Sequence, residues 1–420
     1  MRGRVERGQN ILGTIAIDAL VLDARLRQSL VAVRSLGRRA LSVAALETVS
    51  NVPAFSSRWC RRGFVCPADL ATDAYLAYLQ QLLERTGARV LIPSHDGTIA
   101  LLRRHRARLE QRVRIALANE SAMTIAVNKE RTLAVAKRLG IGVPRSLAVH
   151  TVSEVPEALK EIGLPAVVKP TESWLWGEQQ GVRVTSQAVA TPDQAHRAVA
   201  ELTSLGGVTL LQQLLSGRRE AVSFLYANGQ MYARFAQWEK RTNPPLGGEG
   251  VLRQSIAVPP DIGDQAELPV REIDLEGYSQ VEFRRDSAGV PYLMEINPRL
   301  PASVELAVRS GVDFPYLLYQ WASGGPIDKV ESYRVGGWMR YLTGDLETTI
   351  HAIQQRGRPG VTPALQAVLG FGLSFFRPMG YDCVDWKDPF PAIEATADST
   401  RTLVKRAIRK TLTLSRRNVS

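Results

Sequence analysis

Two glutamates and an asparagine, Glu282, Glu295 and Asn297, stand in the stretch Gln280 to Arg299 at spacings that suit one polar face of a hairpin. At period two, Val281 and Phe283 point one way, and Gln280, Glu282 and Arg284 the other. Asp286-Ser287-Ala288-Gly289 is a turn signal. Beyond it Val290, Tyr292, Met294 and Ile296 share one face, and Leu293, Glu295 and Asn297 the opposite one. A four-residue loop sets Glu282 across from Leu293, so that Glu282 and Glu295 become diagonal neighbours. Two carboxylates and an amide oxygen suit a hard cation such as Mg²⁺, which commonly binds substrate phosphates as well. The alternative is a surface hairpin whose polar face meets water.

Composition bounds what such a hairpin can belong to. The 420 residues suffice for two or three domains, and 45% hydrophobic with 22% charged residues is ordinary for a soluble globular protein. The formal charge of +12 is mostly arginine spread along the chain, with part of the excess in the last twenty residues. Aromatic-plus-basic RNA signatures and zinc-finger spacings are absent, so a nucleic-acid partner is not favoured, and an anionic substrate such as ATP accounts for a basic cleft. Cys60, Cys66 and Cys383 form no CxxC pair and the five histidines are scattered, which argues against both structural zinc and a disulfide framework. The basic start runs into Asp18, Asp23 and Arg25, a poor signal peptide, and no run approaches the roughly eighteen apolar residues of a membrane span. A cytoplasmic protein is the expectation.

The elements that must position the hairpin read as follows. Residues 1–120 form a small doubly wound α/β domain: a strand over Ile11 to Leu22, a helix from Ala24 to Arg38, a strand at Leu41 to Leu46, a helix from Ala68 to Arg85 and a strand at Arg89 to Pro93. Ser94 to Gly97 then falls beyond a strand's carboxyl end, as a substrate-facing turn or as an ordinary helix start capped by Ser94 or Asp96. There is no GxGxxG. From Ala122 an α+β region follows. Lys129 opens a helix to Leu139, Lys169 ends the strand Ala166 to Pro170, and a strand from Val208 runs into Gln212, Gln213, Leu214 and Leu215. Strands Ala221 to Tyr226 and Met231 to Trp238 are joined by Asn228-Gly229, a strong hairpin signal.

A helix-opening lysine, a VVKP strand, a loop, an apolar strand running into Gly-x-x-Glu, and then Glu282 followed by Glu-x-Asn-Pro-Arg resemble the ATP-grasp superfamily over residues 122–325. That superfamily includes biotin carboxylase, D-alanine–D-alanine ligase and the carbamoyl-phosphate synthetase large subunit. The resemblance implies an ATP-grasp domain over 121–325, preceded by the α/β domain and followed by a C-terminal extension over 326–420. It implies that Lys129 and Lys169 contact ATP phosphates, that Gln212 to Leu215 read the adenine, and that Glu220 meets the ribose. Glu282, Glu295 and Asn297 match the ligands of Mg²⁺ (or Mn²⁺), and Arg299 the arginine beside a reacting acyl phosphate. Three departures stand out. Glutamines replace the usual acid of the linker, and Gly217 to Glu220 is one residue longer than G-x-E. The loop Glu172 to Gly181 has two glycines and two tryptophans where a glycine-rich phosphate loop is expected. Ser173 with fewer amides is one way for it to grip phosphate. Trp174 and Trp176 either cap the site or pack the loop down.

The implied activity is ATP-dependent joining of a carboxylate to an amine through an acyl phosphate, with ADP and phosphate released and small molecules as partners. Rivals are a bicarbonate-dependent carboxylase, though no Ala-Met-Lys-Met carrier segment is present, and a carbamoyl-phosphate-synthetase-like half, though no internal repeat is visible. A nucleotide-binding protein without catalysis is the rival from another class. Arg234, Lys240, Arg241 and Arg253, around the flexible Leu246 to Gly250, are further candidates for anion contacts. Leu365 to Phe376 and the basic Arg401 to Arg417 read either as a core helix with a tail or as a weak contact to a membrane surface or a protein.

Overall fold

The computed structural model describes residues 4–7, 16–70, 72–176, 181–245, 248–356, 361–398 and 400–401. The start of the expected first strand, most of the Trp-bearing loop's end, Leu246-Gly247 and the basic tail beyond Arg401 lie outside these residues. Among the described residues a six-stranded parallel sheet opens the chain, in the order Arg4–Arg7, Arg62–Val65, Val43–Glu47, Ala19–Val21, Val90–Ile92, Arg114–Ile115. Its central strands are short apolar runs buried on both faces, as a parallel sheet between helices requires. The winding reverses between Ala19–Val21 and Val90–Ile92, and such switch points open a crevice at the strands' carboxyl ends.

A second sheet, ordered Gln187–Val189, Ala166–Pro170, Thr209–Gln213, Ser146–Val149, is antiparallel. Val149, Ala166, Val168 and Leu211 pack with helices Val155–Ile162 and Pro192–Ser204 in a core of their own. Alternation therefore sends Lys169, Leu210 and Gln212 to the other face.

The third sheet has seven strands in the order Pro291–Asn297, Gly277–Arg285, Arg219–Ala227, Gln230–Asn243, Glu249–Ile256, Trp338–Arg340, Gly380–Tyr381. Asn228 and Gly229 both take positive φ, 49° and 73°, which the tight hairpin turn needs. Gly217 is also required: a Cβ there would lie 2.4 Å from the carbonyl oxygen of Arg285. This sheet shares both of its apolar clusters with the parallel sheet. The cleft thus lies between one continuous body and the separately cored four-stranded unit.

The end of the chain departs from the sequence reading in two ways. Trp338–Arg340 and Gly380–Tyr381 extend the seven-stranded sheet at the edge away from the hairpin, so the C-terminal stretch is part of that sheet. Asp382 pairs with Arg27 and Arg253, and Asp388 with Arg34, tying this segment to the first helix. Helix Ala364–Leu373 is not a core helix. Leu365 is 72% exposed and Phe376, just beyond it, 86%, because one side of the helix rests on its neighbour Leu342–Gln354 and on Arg241 and Arg340 of the sheet, and the other side faces outward.

Candidate active site

The hairpin differs from its expected register by a turn one residue longer and by one bulge. Arg285 pairs with Pro291 and Phe283 with Leu293, but Glu282 then pairs directly with Glu295, leaving Met294 as the extra residue. The inserted residue flips the alternation, so Leu293 joins Phe283 and Ile296 in the core while Glu295 and Asn297 stand beside Glu282 and Gln280. The two carboxylates are therefore direct rather than diagonal neighbours.

Charges converge on this face. The Asn297 Nδ2 donates to Glu282 Oε1 at 3.0 Å, which fixes the amide so that its oxygen remains available. Arg219 donates through Nε to Glu282 Oε2 at 3.1 Å and contacts Glu239 at 3.1 Å. Lys129 opens the helix Lys129–Arg138, which Asn128 caps by accepting from the Arg131 amide. Its Nζ lies 3.2 Å from Ser173 Oγ and 3.6 Å from Glu295 Oε2. Lys169 enters from the four-stranded sheet, buried, with Glu295, Lys129 and Glu282 as its electrostatic neighbours. Burial pushes Lys169 down to about 8. Burial raises Glu282, and Glu295 adds to this, whereas for Glu295 the upward push of burial is outweighed by Lys129 and Lys169. One carboxylate is therefore held ionised among cations while its neighbour sits near the point of protonation.

The opposite wall comes from the parallel sheet's switch point. Buried Asp23, at φ 59°, accepts from the amides of Ser94 and His95 and from the Thr98 hydroxyl, and so shapes the turn Ser94 to Gly97. His95, rather than Ser94 or Asp96, caps the next helix, its Nδ1 accepting from the Gly97 amide at 3.1 Å. Asp96 is thereby aimed at Arg299, which donates to it at 2.5 Å across 203 residues of sequence. Against burial, Arg299 holds the Asp96 carboxyl well below the usual range. The resulting polar cleft, about 410 Å³, takes walls from the turn at His95 and Asp96, from Arg183 and Arg219, and from the hairpin at Glu282, Glu295 and Arg299. It also reaches Ser173.

The Trp-bearing loop packs down. Trp174–Trp176 pairs with Gly181–Arg183, and the Trp174 ring stands edge-on to His95 at 5.5 Å. A Cβ on Gly97 would come within 2.6 Å of that ring. The loop thus docks on the turn that carries Asp96, and Arg183 adds a 3.5 Å contact to Asp96.

Not every expected residue reaches this cleft. Glu220 does not: it pairs in register with Phe283, on the face opposite Glu282, and its carboxylate is bound by Arg285 and Arg218. Strand alternation brings Arg219 to the cleft instead, at the G-x-E spacing after Gly217 where the sequence reading passed over it. Gln213 lies on the helix side of its strand, in register with Ala166, and Leu215 is buried beyond the strand's end, with Leu214 half-buried beside it. Gln212 is on Lys169's side, fully buried, and neither of its amide atoms has a hydrogen-bond partner among the described residues. Arg253 is spent on Asp382, Arg241 on Asp345 and Arg234 on Glu267, while Lys240 lies over the Trp338 ring. Their distant acidic partners carried no local signal. The three cysteines are buried and free, and burial pushes Cys60 and Cys383 up to about 12.

Two sheets gripping a cleft floored by a Glu–Glu–Asn hairpin and flanked by two lysines give this chain the ATP-grasp fold. Residues 208–344 match the family model described as ATP-grasp in the biosynthetic pathway with Ter operon. D-alanine–D-alanine ligase from Nitrosospira multiformis is 25% identical over 179 residues, 42% of this chain and 58% of that protein. The carbamoyl phosphate synthase large chain from Thermus thermophilus is 24% identical over 357 residues, 77% of this chain and 32% of that protein. The chain thus spans less than two thirds of these curated relatives. Biotin carboxylase from Campylobacter jejuni, solved with β,γ-ATP, superposes with a TM-score of 0.62 at 16% identity, over 77% of this chain and 74% of that one. Among the described residues no helix is long and apolar enough to cross a membrane.

Proposed function

We propose that the protein is an ATP-dependent ligase that joins a small-molecule carboxylate to an amine through an acyl phosphate, releasing ADP and phosphate. The observation that carries this reading is the meeting of Lys129, Glu282, Glu295, Asn297 and Arg299 in one cleft, with Lys169 as an electrostatic neighbour of Glu295 from a third part of the chain. The donor set fits Mg²⁺ or Mn²⁺. Two adjacent carboxylates and an amide oxygen give hard ligands, and no cluster of three or more His, Cys, Asp or Glu exists among the described residues to form an all-protein cage. When bound, the cation would neutralise charge on the phosphate oxygens.

The chain's own side chains supply the remainder. Lys129 and Lys169 draw the phosphates against the hairpin, with Ser173 beside Lys129 as a further donor. Gln212, with a donor and an acceptor both unmatched and buried, suits the edge of a purine, which offers one of each. Arg299, oriented by Asp96, is placed to steady an anionic acyl phosphate. Phosphoryl transfer needs such positioning and charge neutralisation rather than a nucleophilic side chain. The carboxylate oxygen attacks the γ-phosphorus and ADP leaves; the amine nitrogen then attacks the acyl carbon, phosphate leaves, and the amine gives up a proton.

The test is an ADP-release screen over amino acids and small acids with hydroxylamine as the trap. ADP with hydroxamate supports the ligase. ADP without hydroxamate favours a carboxylase, and AMP with pyrophosphate removes the acyl phosphate.

A further inference from the structure

A second cavity, about 530 Å³, opens from the reaction centre and has a different character. Its walls include Ile99, Val127, Trp174, Trp176, Ile296 and Pro298, with residues of the helix Asp96–Arg104 on one side and the docked loop on the other. It shares Lys129, Glu295 and Arg299 with the polar cleft, so the two spaces meet at those charges. Two arginines on its wall, Arg103 and Arg104, face other groups. Arg103 donates to Glu120 at 3.0 Å, and the Arg104 guanidinium lies 5.6 Å from the Trp176 ring centre. The cations at the junction are Lys129 and Arg299, which also face Glu295 and Asp96, and the rest of the wall is aromatic and aliphatic with Glu120 and Glu172 at its polar side.

Trp174 and Trp176 are held at right angles with ring centres 6.2 Å apart, and Trp176 is still 40% exposed. The Trp174 Nε1 is buried without a partner among the described residues. Two rigid indoles around an unfilled space, one keeping an unmatched donor, form a wall built for an apolar body with a polar atom near it. The volume falls within the ~300–1,000 Å³ of clefts that enclose organic ligands and exceeds what bicarbonate or acetate needs.

We propose that this cavity seats the non-reacting part of the substrate, and that the acid activated here is a carboxylic acid with a bulky apolar or aromatic body. Its carboxylate lies at the junction by Lys129 and Arg299, and its body lies between the indoles and the helix Asp96–Arg104. The amine enters from the polar cleft on the other side of the junction. This rests on the ligase reading for its chemistry, though the binding claim stands apart from turnover.

Saturation-transfer NMR and competition titration with 3-phenylpropionate and acetate, in the presence of ADP and Mg²⁺, test binding. Hydroxamate formation from the same two acids tests turnover. We expect 3-phenylpropionate to bind at least tenfold more tightly than acetate. That preference should fall at least fivefold in Trp176→Ala and in Ala100→Phe, which removes a wall or fills the space, each checked for native far-UV and near-UV spectra. Selective binding without hydroxamate keeps the pocket assignment and removes the ligase reading. Equal affinity for the two acids, or a preference untouched by both variants, overturns the proposal whatever ATP does.

Discussion

Replacing Gln212 by leucine is expected to move stability and nucleotide affinity in opposite directions. The side chain is 0% exposed, and its Nε2 and Oε1 are both unpaired. An unsatisfied buried polar atom costs about 1–3 kcal/mol, whereas an apolar group of similar shape carries no such penalty. Gln212→Leu should therefore stabilise the nucleotide-free protein by about 1–3 kcal/mol, since packing around leucine will not recover the whole cost of two atoms. If the amide pairs with the base, the same change removes those hydrogen bonds from the complex. The loss is again about 1–3 kcal/mol, or roughly 5- to 150-fold in Kd. Urea titrations with and without a non-hydrolysable ATP analogue and Mg²⁺ read both terms at once. A saturating ligand stabilises by RT ln(1 + [L]/Kd), so a tenfold weaker Kd shrinks its increment by about 1.4 kcal/mol. A variant that is less stable without nucleotide, or that keeps the full ligand increment, refutes the reasoning.

Glu295→Ala should abolish ADP release while the far-UV spectrum stays native, and normal turnover in that variant would sink the metal assignment. Lys169 stands at about 8 instead of 10.5 because it is buried, so phosphate binding should restore its proton. Calorimetry in buffers of different ionisation enthalpy should show proton uptake on nucleotide binding between about pH 8 and 10, and affinity falling as pH rises through that range. In the same window the unfolded chain binds more protons than the folded one, so this group makes stability rise with pH until about 10.5. Arg219→Met strands Glu282 and Glu239, and breaking a mostly buried pair of this kind costs about 3–5 kcal/mol. Mg²⁺ should recover more of the denaturation midpoint in that variant than in wild type; an equal response would show that Glu282 does not meet the cation.

The sequence by itself determined the local elements. Lysine after Asn128 opens a helix because asparagine caps it, Asn228-Gly229 turns a hairpin because both residues tolerate positive φ, and VVKP forms a buried strand that ends on its lysine. The ordered motifs pointed to the fold and to most of the residues that gather in the cleft. Tertiary structure decided which face each of them uses. A period-two pattern gives two faces but not the pairing: a turn one residue longer than expected, together with the extra residue at Met294, set Glu295 rather than Leu293 opposite Glu282. The apolar Leu293 on an otherwise polar face was the one local hint. The same parity separates Arg219 from Glu220 and Gln212 from Gln213, neighbours in sequence on opposite sides of a sheet. Asp96 against Arg299 and Trp174 against Gly97 join parts of the chain that share no local pattern, so only tertiary packing brings them together.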